Sequence, residues 1–151
     1  MKTAQDGYAL DQLANGKEVD EVISIWIESS KTAHDFIAAD YWLDQAPAMK
    51  EIYLPQAETW IYKDKNGNIT GFISLVKNHV AALFIHPEAQ QMGIGSRLIE
   101  KAKELKRELH LKVYIKNKKA VHFYQKHGFR IQETHIDENT DEEEFYMTWI
   151  Q

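Results

Sequence analysis

The stretch from Val80 to Leu109 constrains this chain more than any other part of it. Val80 to Ile85 is a short apolar run bounded by polar residues, too brief for a helix, and reads as a buried strand. Pro87 has no N–H to give a sheet ladder and closes that strand. A polar turn follows, with glycines at 93 and 95. Ile94, Leu98, Ala102, Leu105 and Leu109 then recur at helical spacing, as one face of an amphipathic helix. Strand, glycine turn and helix start leave free backbone N–H groups at the positive end of a helix dipole. A phosphate is held there without any charged side chain. Other phosphate loops are excluded: the dinucleotide fingerprint wants a third glycine where Leu98 stands, and no Gly-Lys-Ser/Thr of a Walker loop exists.

At 151 residues the chain is expected to form one domain, 1–151. No apolar run approaches the roughly 18 residues of a membrane span. Residues Met1 to Asp6 carry no apolar signal core, so the expected location is cytoplasmic. Zero cysteines exclude disulfides, zinc–thiolate sites and thiol nucleophiles. A net charge of −5 and the lack of a basic–aromatic RNA motif argue against nucleic acid as a partner. The charge is uneven. Arg97 to Arg130 holds eleven Lys or Arg against three Glu, whereas Glu133 to Glu144 holds seven acids and no Lys or Arg. A basic segment beside a phosphate turn suits a ligand with a pyrophosphate and a further ribose phosphate. Lys101, Lys103, Lys106 and Arg107, taken singly, read instead as a solvated helix face.

Tyr8-Ala9-Leu10 reads as a short first strand and Asn15-Gly16 as a turn. From Glu18, the spacing of Val19, Val22, Ile23, Trp26 and Ile27 predicts a helix that Ser29-Ser30 loosens. A second, aromatic helix is predicted from Ala33 to about Gln45, stopping before Pro47. Thr59 to Tyr62, Ile69 to Val76 and His79 to Ile85 read as three antiparallel strands, the first two joined at Asn66-Gly67. Leu111 to Ile115 is a strand, Asn117 to His127 a helix ended by Gly128, and Phe129 to Ile136 and Phe145 to Ile150 are strands around an acidic loop.

Gln90-x-x-Gly93-x-Gly95 resembles the pyrophosphate motif of the GNAT superfamily of acyl-CoA-dependent N-acetyltransferases. The segment from Val113 to Phe129 strengthens the likeness. There Asn117, Ala120, Phe123, Tyr124, Lys126, Gly128 and Phe129 match the strand–helix–strand that follows in those enzymes. Trp26, Ala33-His34-Asp35-Phe36 and Tyr41-Trp42 resemble a branch of small bacterial single-domain members. The resemblance implies an α/β fold with a mixed, mostly antiparallel sheet of six or seven strands and about four helices. Two strands splay into a slot for acetyl-CoA. It further implies that the backbone of Leu83, Phe84 and Ile85 pairs with pantetheine amides, and that Gln90, Gln91, Met92, Gly93, Ile94, Gly95 and Ser96 hold the pyrophosphate. Asn117 is expected to approach the cofactor, and Gln90 stands where the family often has Arg.

Acetylating an amine requires a neutral nucleophile, yet an alkylammonium near pKa 10.4 is only about 0.04% neutral at pH 7. Backbone N–H groups around Phe84 are expected to stabilise charge on the thioester oxygen, and Tyr124 to protonate the leaving thiolate. The competing reading of Tyr124 is a core tyrosine packed beside Phe123. His79 is a candidate base, eleven positions before Gln90, and His34 competes from the acceptor side. Phe36, Tyr41 and Trp42 are candidate walls for the acceptor amine, or simply a helix packed on the sheet. His86 reads as a turn residue, and His127 as a helix C-terminus where a cationic tip is favoured. No histidine has the spacing of a metal-ligand pair, so no metal is expected. The expected assembly is a monomer or homodimer. A non-catalytic acyl-CoA-binding module of the same fold is the alternative function.

Overall fold

A computed structural model describes residues 8–14 and 16–151. The turn expected at Asn15-Gly16 lies in part outside the described residues. In chain order the elements are β1 (Ala9–Gln12), α1 (Gly16–Ala33), α2 (Ala39–Ala48), β2 (Glu58–Lys63), β3 (Ile69–Val76) and β4 (His79–Ile85). They continue with α3 (Ile94–Leu105), β5 (Glu108–Tyr114), α4 (Lys118–Lys126), β6 (Arg130–Asp137) and β7 (Glu142–Ile150). One seven-stranded sheet runs β1-β2-β3-β4-β5-β7-β6, antiparallel throughout except at the β4/β5 junction.

Each sheet face carries its own core. Ile73, Leu75, Leu111 and Met147 pack with Leu98 and Ile99 of α3 on one side. Ile61 and Phe72 pack with Val22 and Trp26 of α1 and Trp42 of α2 on the other. Alternation along the strands produces this division. A bulge interrupts it in β4, where Ser74 pairs with Ala82 and Leu75 with Val80, so that Ala81 is the extra residue. Val80 therefore faces α3 and Ala82 faces α1.

Three elements depart from the sequence reading. α1 runs unbroken through Ser29 and Ser30, which are buried, and the chain leaves the helix at His34. Pro47 lies inside α2, whose path continues through a π-helical turn, Met49–Tyr53, and one more helical turn, Leu54–Gln56. α3 stops at Leu105 because Lys106 turns extended at φ −132°. Leu109 alternates with Leu111 and Val113 in β5, so the period-2 pattern prevails there over the helical one. The acidic loop is short: Asp137 and Glu142 to Glu144 all belong to the β6/β7 hairpin.

Candidate active site

β4 and β5 pair at a single register position, His79 opposite His110, where the His110 N–H donates to the Asn78 carbonyl at 3.0 Å. Beyond it they diverge, and a cavity of about 730 Å³ opens against the glycine turn and the start of α4. The His86 N–H donates to the Thr70 carbonyl at 2.8 Å, which makes 70 and 86 a hydrogen-bonded pair. Strict alternation then gives the Phe84 peptide groups to Phe72 and turns those of Leu83 and Ile85 toward the slot. This corrects the expectation that Phe84 offers backbone groups to the cofactor; its ring faces the α1 side. The Ile85 carbonyl already accepts from Ser29 Oγ at 2.9 Å and Gln90 Nε2 at 3.3 Å, leaving Leu83 with the open edge.

The turn carries left-handed residues at Gln91 (φ 65°) and Gly93 (φ 79°) before α3 begins, a backbone of the kind that gathers successive N–H groups into an anion-binding concavity. A Cβ on Gly95 would stand 3.2 Å from the Phe123 ring, so this side of the cradle tolerates no side chain without displacement. Gln90, Gln91, Gly93, Ile94, Gly95 and Ser96 all line the cavity. Met92 does not; its side chain is 70% exposed and points away. Lysines 116, 118, 119 and 126 form the rim. The lysines of α3 are used structurally, Lys101 over Trp60 at 4.3 Å and Lys103 on the His127 carbonyl at 2.6 Å.

Tyr124 lines the same cavity and is 8% exposed, and burial raises its pKa. Its ring meets Phe123 and Phe129, so the packing expectation and the slot expectation hold together. Asn117 caps α4, its Oδ1 accepting from the Ala120 N–H at 3.3 Å. Its Nδ2 lies 3.2 Å from His34 Nε2 and donates to it, which joins α1 to α4 across the slot. His34 must then be neutral with its hydrogen on Nδ1. Burial lowers its pKa to about 4. Its ring sits among Phe36, Trp42, Phe84 and Tyr114. An open strand edge, a turn rich in N–H groups and a lysine rim fit the pantetheine, the diphosphate and the further phosphate of a coenzyme A thioester.

A family model described as an acetyltransferase (GNAT) domain matches residues 55–131. Peptidyl-lysine N-acetyltransferase YiaC of Escherichia coli is 34% identical over 137 residues, 90% of this chain and 93% of that protein. The chain belongs to the GNAT acetyltransferase family. The solution structure of apo-form YjaB from Escherichia coli superposes with a TM-score of 0.82 at 28% identity, over 94% of this chain and 97% of that one. A Bacillus anthracis structure in complex with acetyl coenzyme A, described as a streptothricin acetyltransferase, gives 0.58 at 26% identity over 64% of each chain. This GNAT protein is thus an acetyl-CoA-dependent enzyme that transfers an acetyl group to an amine. The non-catalytic alternative is not favoured.

Several expected residues of this GNAT enzyme stand off the cavity wall, His79, Tyr41 and Phe36 among them. His79 is at the opposite end of β4, roughly 16 Å of extended chain from Phe84. Its Nδ1 is 3.0 Å from His110 Nδ1, and burial, His110 and Lys112 lower its pKa. Tyr41 stacks edge-on against Trp42, away from the cavity wall. Phe36 faces Tyr114 at 5.6 Å and does not line the cavity either. Ser29 and Tyr114 escaped the sequence reading. Ser29 reads only as loosening its helix, and nothing local signals that the Tyr114 hydroxyl donates to Asp137 Oδ2 at 2.6 Å. His127 sits at the C-terminus of α4 as expected, but burial and Lys103 lower its pKa, so the cationic tip is not favoured.

Proposed function

We propose that this enzyme acetylates the side-chain amine of a lysine in a peptide or protein by direct attack, with Tyr124 as the general acid. Acetyl-CoA, when bound, supplies the acetyl thioester. The observation that carries the reading is Tyr124: a buried phenol on the wall of the same cavity that the Leu83 edge and the glycine turn line. Its raised pKa keeps the phenol protonated and ready to donate to a departing sulfur. The Leu83 N–H is the donor for the carbonyl end of the cofactor, since its peptide groups face the slot.

His34 does not serve as the base. Its Nε2 is occupied by Asn117, and moving a proton from an alkylammonium near 10.4 to a group near 4 costs about 9 kcal/mol. His79 is too far along β4. The ammonium therefore loses its proton to bulk solvent before it enters, at a cost of about 5 kcal/mol at pH 7. The acceptor side is aromatic and acidic, with Phe36, Tyr114 and Asp137 near one another, and Lys116 already rests its ammonium there, 5.6 Å over the Phe36 ring and 3.0 Å from Glu142, a surface that suits an alkylammonium. The relatives named as peptidyl-lysine acetyltransferases support this acceptor class. We place the reaction in the cytoplasm: no described helix is long and apolar enough to cross a membrane, and the chain has no cysteine.

A panel of lysine-containing peptides, free polyamines and aminoglycosides, read by release of free coenzyme A thiol, tests the acceptor. Turnover on peptides well above that on the small amines is expected. Preference for a small amine would overturn the peptidyl-lysine assignment.

A further inference from the structure

His127 ends α4, and its Nε2 lies 3.0 Å from Ser96 Oγ in the first turn of α3. Ser96 lines the slot beside the glycine turn, whereas His127 stands behind it. The imidazole is held in place: the Phe123 ring covers it at 4.6 Å, and Lys103 Nζ donates to its carbonyl at 2.6 Å. Burial, Lys103 and Lys126 lower its pKa against the opposing pull of Glu100. The ring is therefore mostly neutral at pH 7 and carries one N–H.

A neutral imidazole can give that N–H to a serine or take the serine's hydrogen. The two arrangements differ for an anion. If Nε2 accepts, the serine hydrogen points at the ring and only lone pairs face the slot. If Nε2–H donates, the serine hydrogen is free to point outward. We propose that His127 is a positioning residue for the coenzyme A diphosphate: its Nε2–H donates to Ser96 Oγ, and the serine hydroxyl in turn donates to a diphosphate oxygen. The inference rests on acetyl-CoA occupying this slot. It adds to the backbone donors of the turn a side-chain donor set by the next helix.

Calorimetric titration of coenzyme A into the full chain tests it. Ser96→Ala is expected to weaken binding about tenfold and His127→Phe about fivefold, since each removes one hydrogen bond in a chain that ends on a charge. The double variant should bind no more weakly than Ser96→Ala alone. His127→Gln, whose amide can donate to the same oxygen, should bind within about twofold of the native chain. Pantetheine, which carries neither phosphate, should bind all four variants and the native chain alike. If His127→Phe fails to fold, side-chain ¹⁵N shifts of the native protein saturated with coenzyme A give the answer. Nε2–H is expected, and Nδ1–H would overturn the proposal. Losses that multiply in the double variant, or an unaffected His127→Phe, would also overturn it while leaving the cofactor assignment intact. No heat with the native chain would remove both.

Discussion

Tyr124 and His34 show how burial sets the use of a titratable side chain. Both are more than nine-tenths buried, and in each case desolvation disfavours the charged form. For the phenol this preserves the proton that the proposed mechanism gives to the leaving sulfur. Tyr124→Phe keeps the ring packed on Phe129 and removes only that proton, so turnover should fall roughly 10²-fold while calorimetric affinity for acetyl-CoA stays unchanged. Undiminished turnover would take Tyr124 out of the mechanism. For the imidazole the same physics produces a stability term. Unfolded His34 takes up a proton below about 6.5, but the folded residue does so only below about 4. Between those values the unfolded state binds more protons, so stability is lost as pH falls through that window, by about 3 kcal/mol at most. Urea unfolding at pH 4 and pH 7 should show a smaller pH effect in His34→Phe than in the native chain. An equal effect would place the titration elsewhere. The roles of both residues were visible in the sequence only as motif letters. That Asn117 claims the His34 Nε2 depends on an 83-residue separation, and no local pattern encodes it.

Elements were legible where one period dominates. β3 and β4 fall where alternation and apolar runs put them, and the glycine turn opens α3 as its sequence requires. The reading failed where a tertiary bond overrides a local preference. Two adjacent serines are poor helix interior, yet Ser29 stays helical because its hydroxyl finds the Ile85 carbonyl, a group that the splay takes away from β5. The bulge at Ala81 was equally invisible, because an inserted residue in an apolar run changes no letter pattern, only which face each letter occupies. Close packing beneath the slot is a consequence of the same geometry. A Cβ on Gly71 would lie 2.8 Å from Ile85 Cδ1 and 3.0 Å from Ile94 Cγ2, directly under the strand edge and the helix start. Gly71→Ala should therefore destabilise the fold by about 1–3 kcal/mol in denaturant titrations and weaken acetyl-CoA binding together. Gly95→Val should spare most of the stability and mainly weaken binding, because the group it displaces is the Phe123 ring on the slot wall. If Gly95→Val binds acetyl-CoA normally, Phe123 has room to yield and the cradle is looser than its contacts imply.

Across the whole molecule, charge is gathered by sign, and the two groups meet where Lys116 pairs with Glu142 at 3.0 Å. Lysines 116, 118, 119 and 126 rim the slot, while the β6/β7 hairpin gathers Asp137 and Glu142 to Glu144, and the chain as a whole carries −5. A polyanionic cofactor must approach a net-negative protein, so the local basic rim has to outweigh the global field. At about 0.1 M salt the screening length is near 10 Å, which lets neighbouring lysines act together on the phosphates but mutes the distant acids. Reversing two of them, Lys118→Glu with Lys119→Glu, replaces attraction by repulsion at the start of α4 without touching a buried group. Acetyl-CoA affinity should drop at least tenfold at 0.05 M salt. The deficit should shrink toward about twofold or threefold near 1 M, where the screening length is about 3 Å. The paired measurement separates two kinds of lysine. A deficit that persists at high salt would mean that 118 and 119 grip particular phosphate oxygens through short hydrogen bonds, and the rim would then be a set of ligands to the cofactor rather than a field that gathers it.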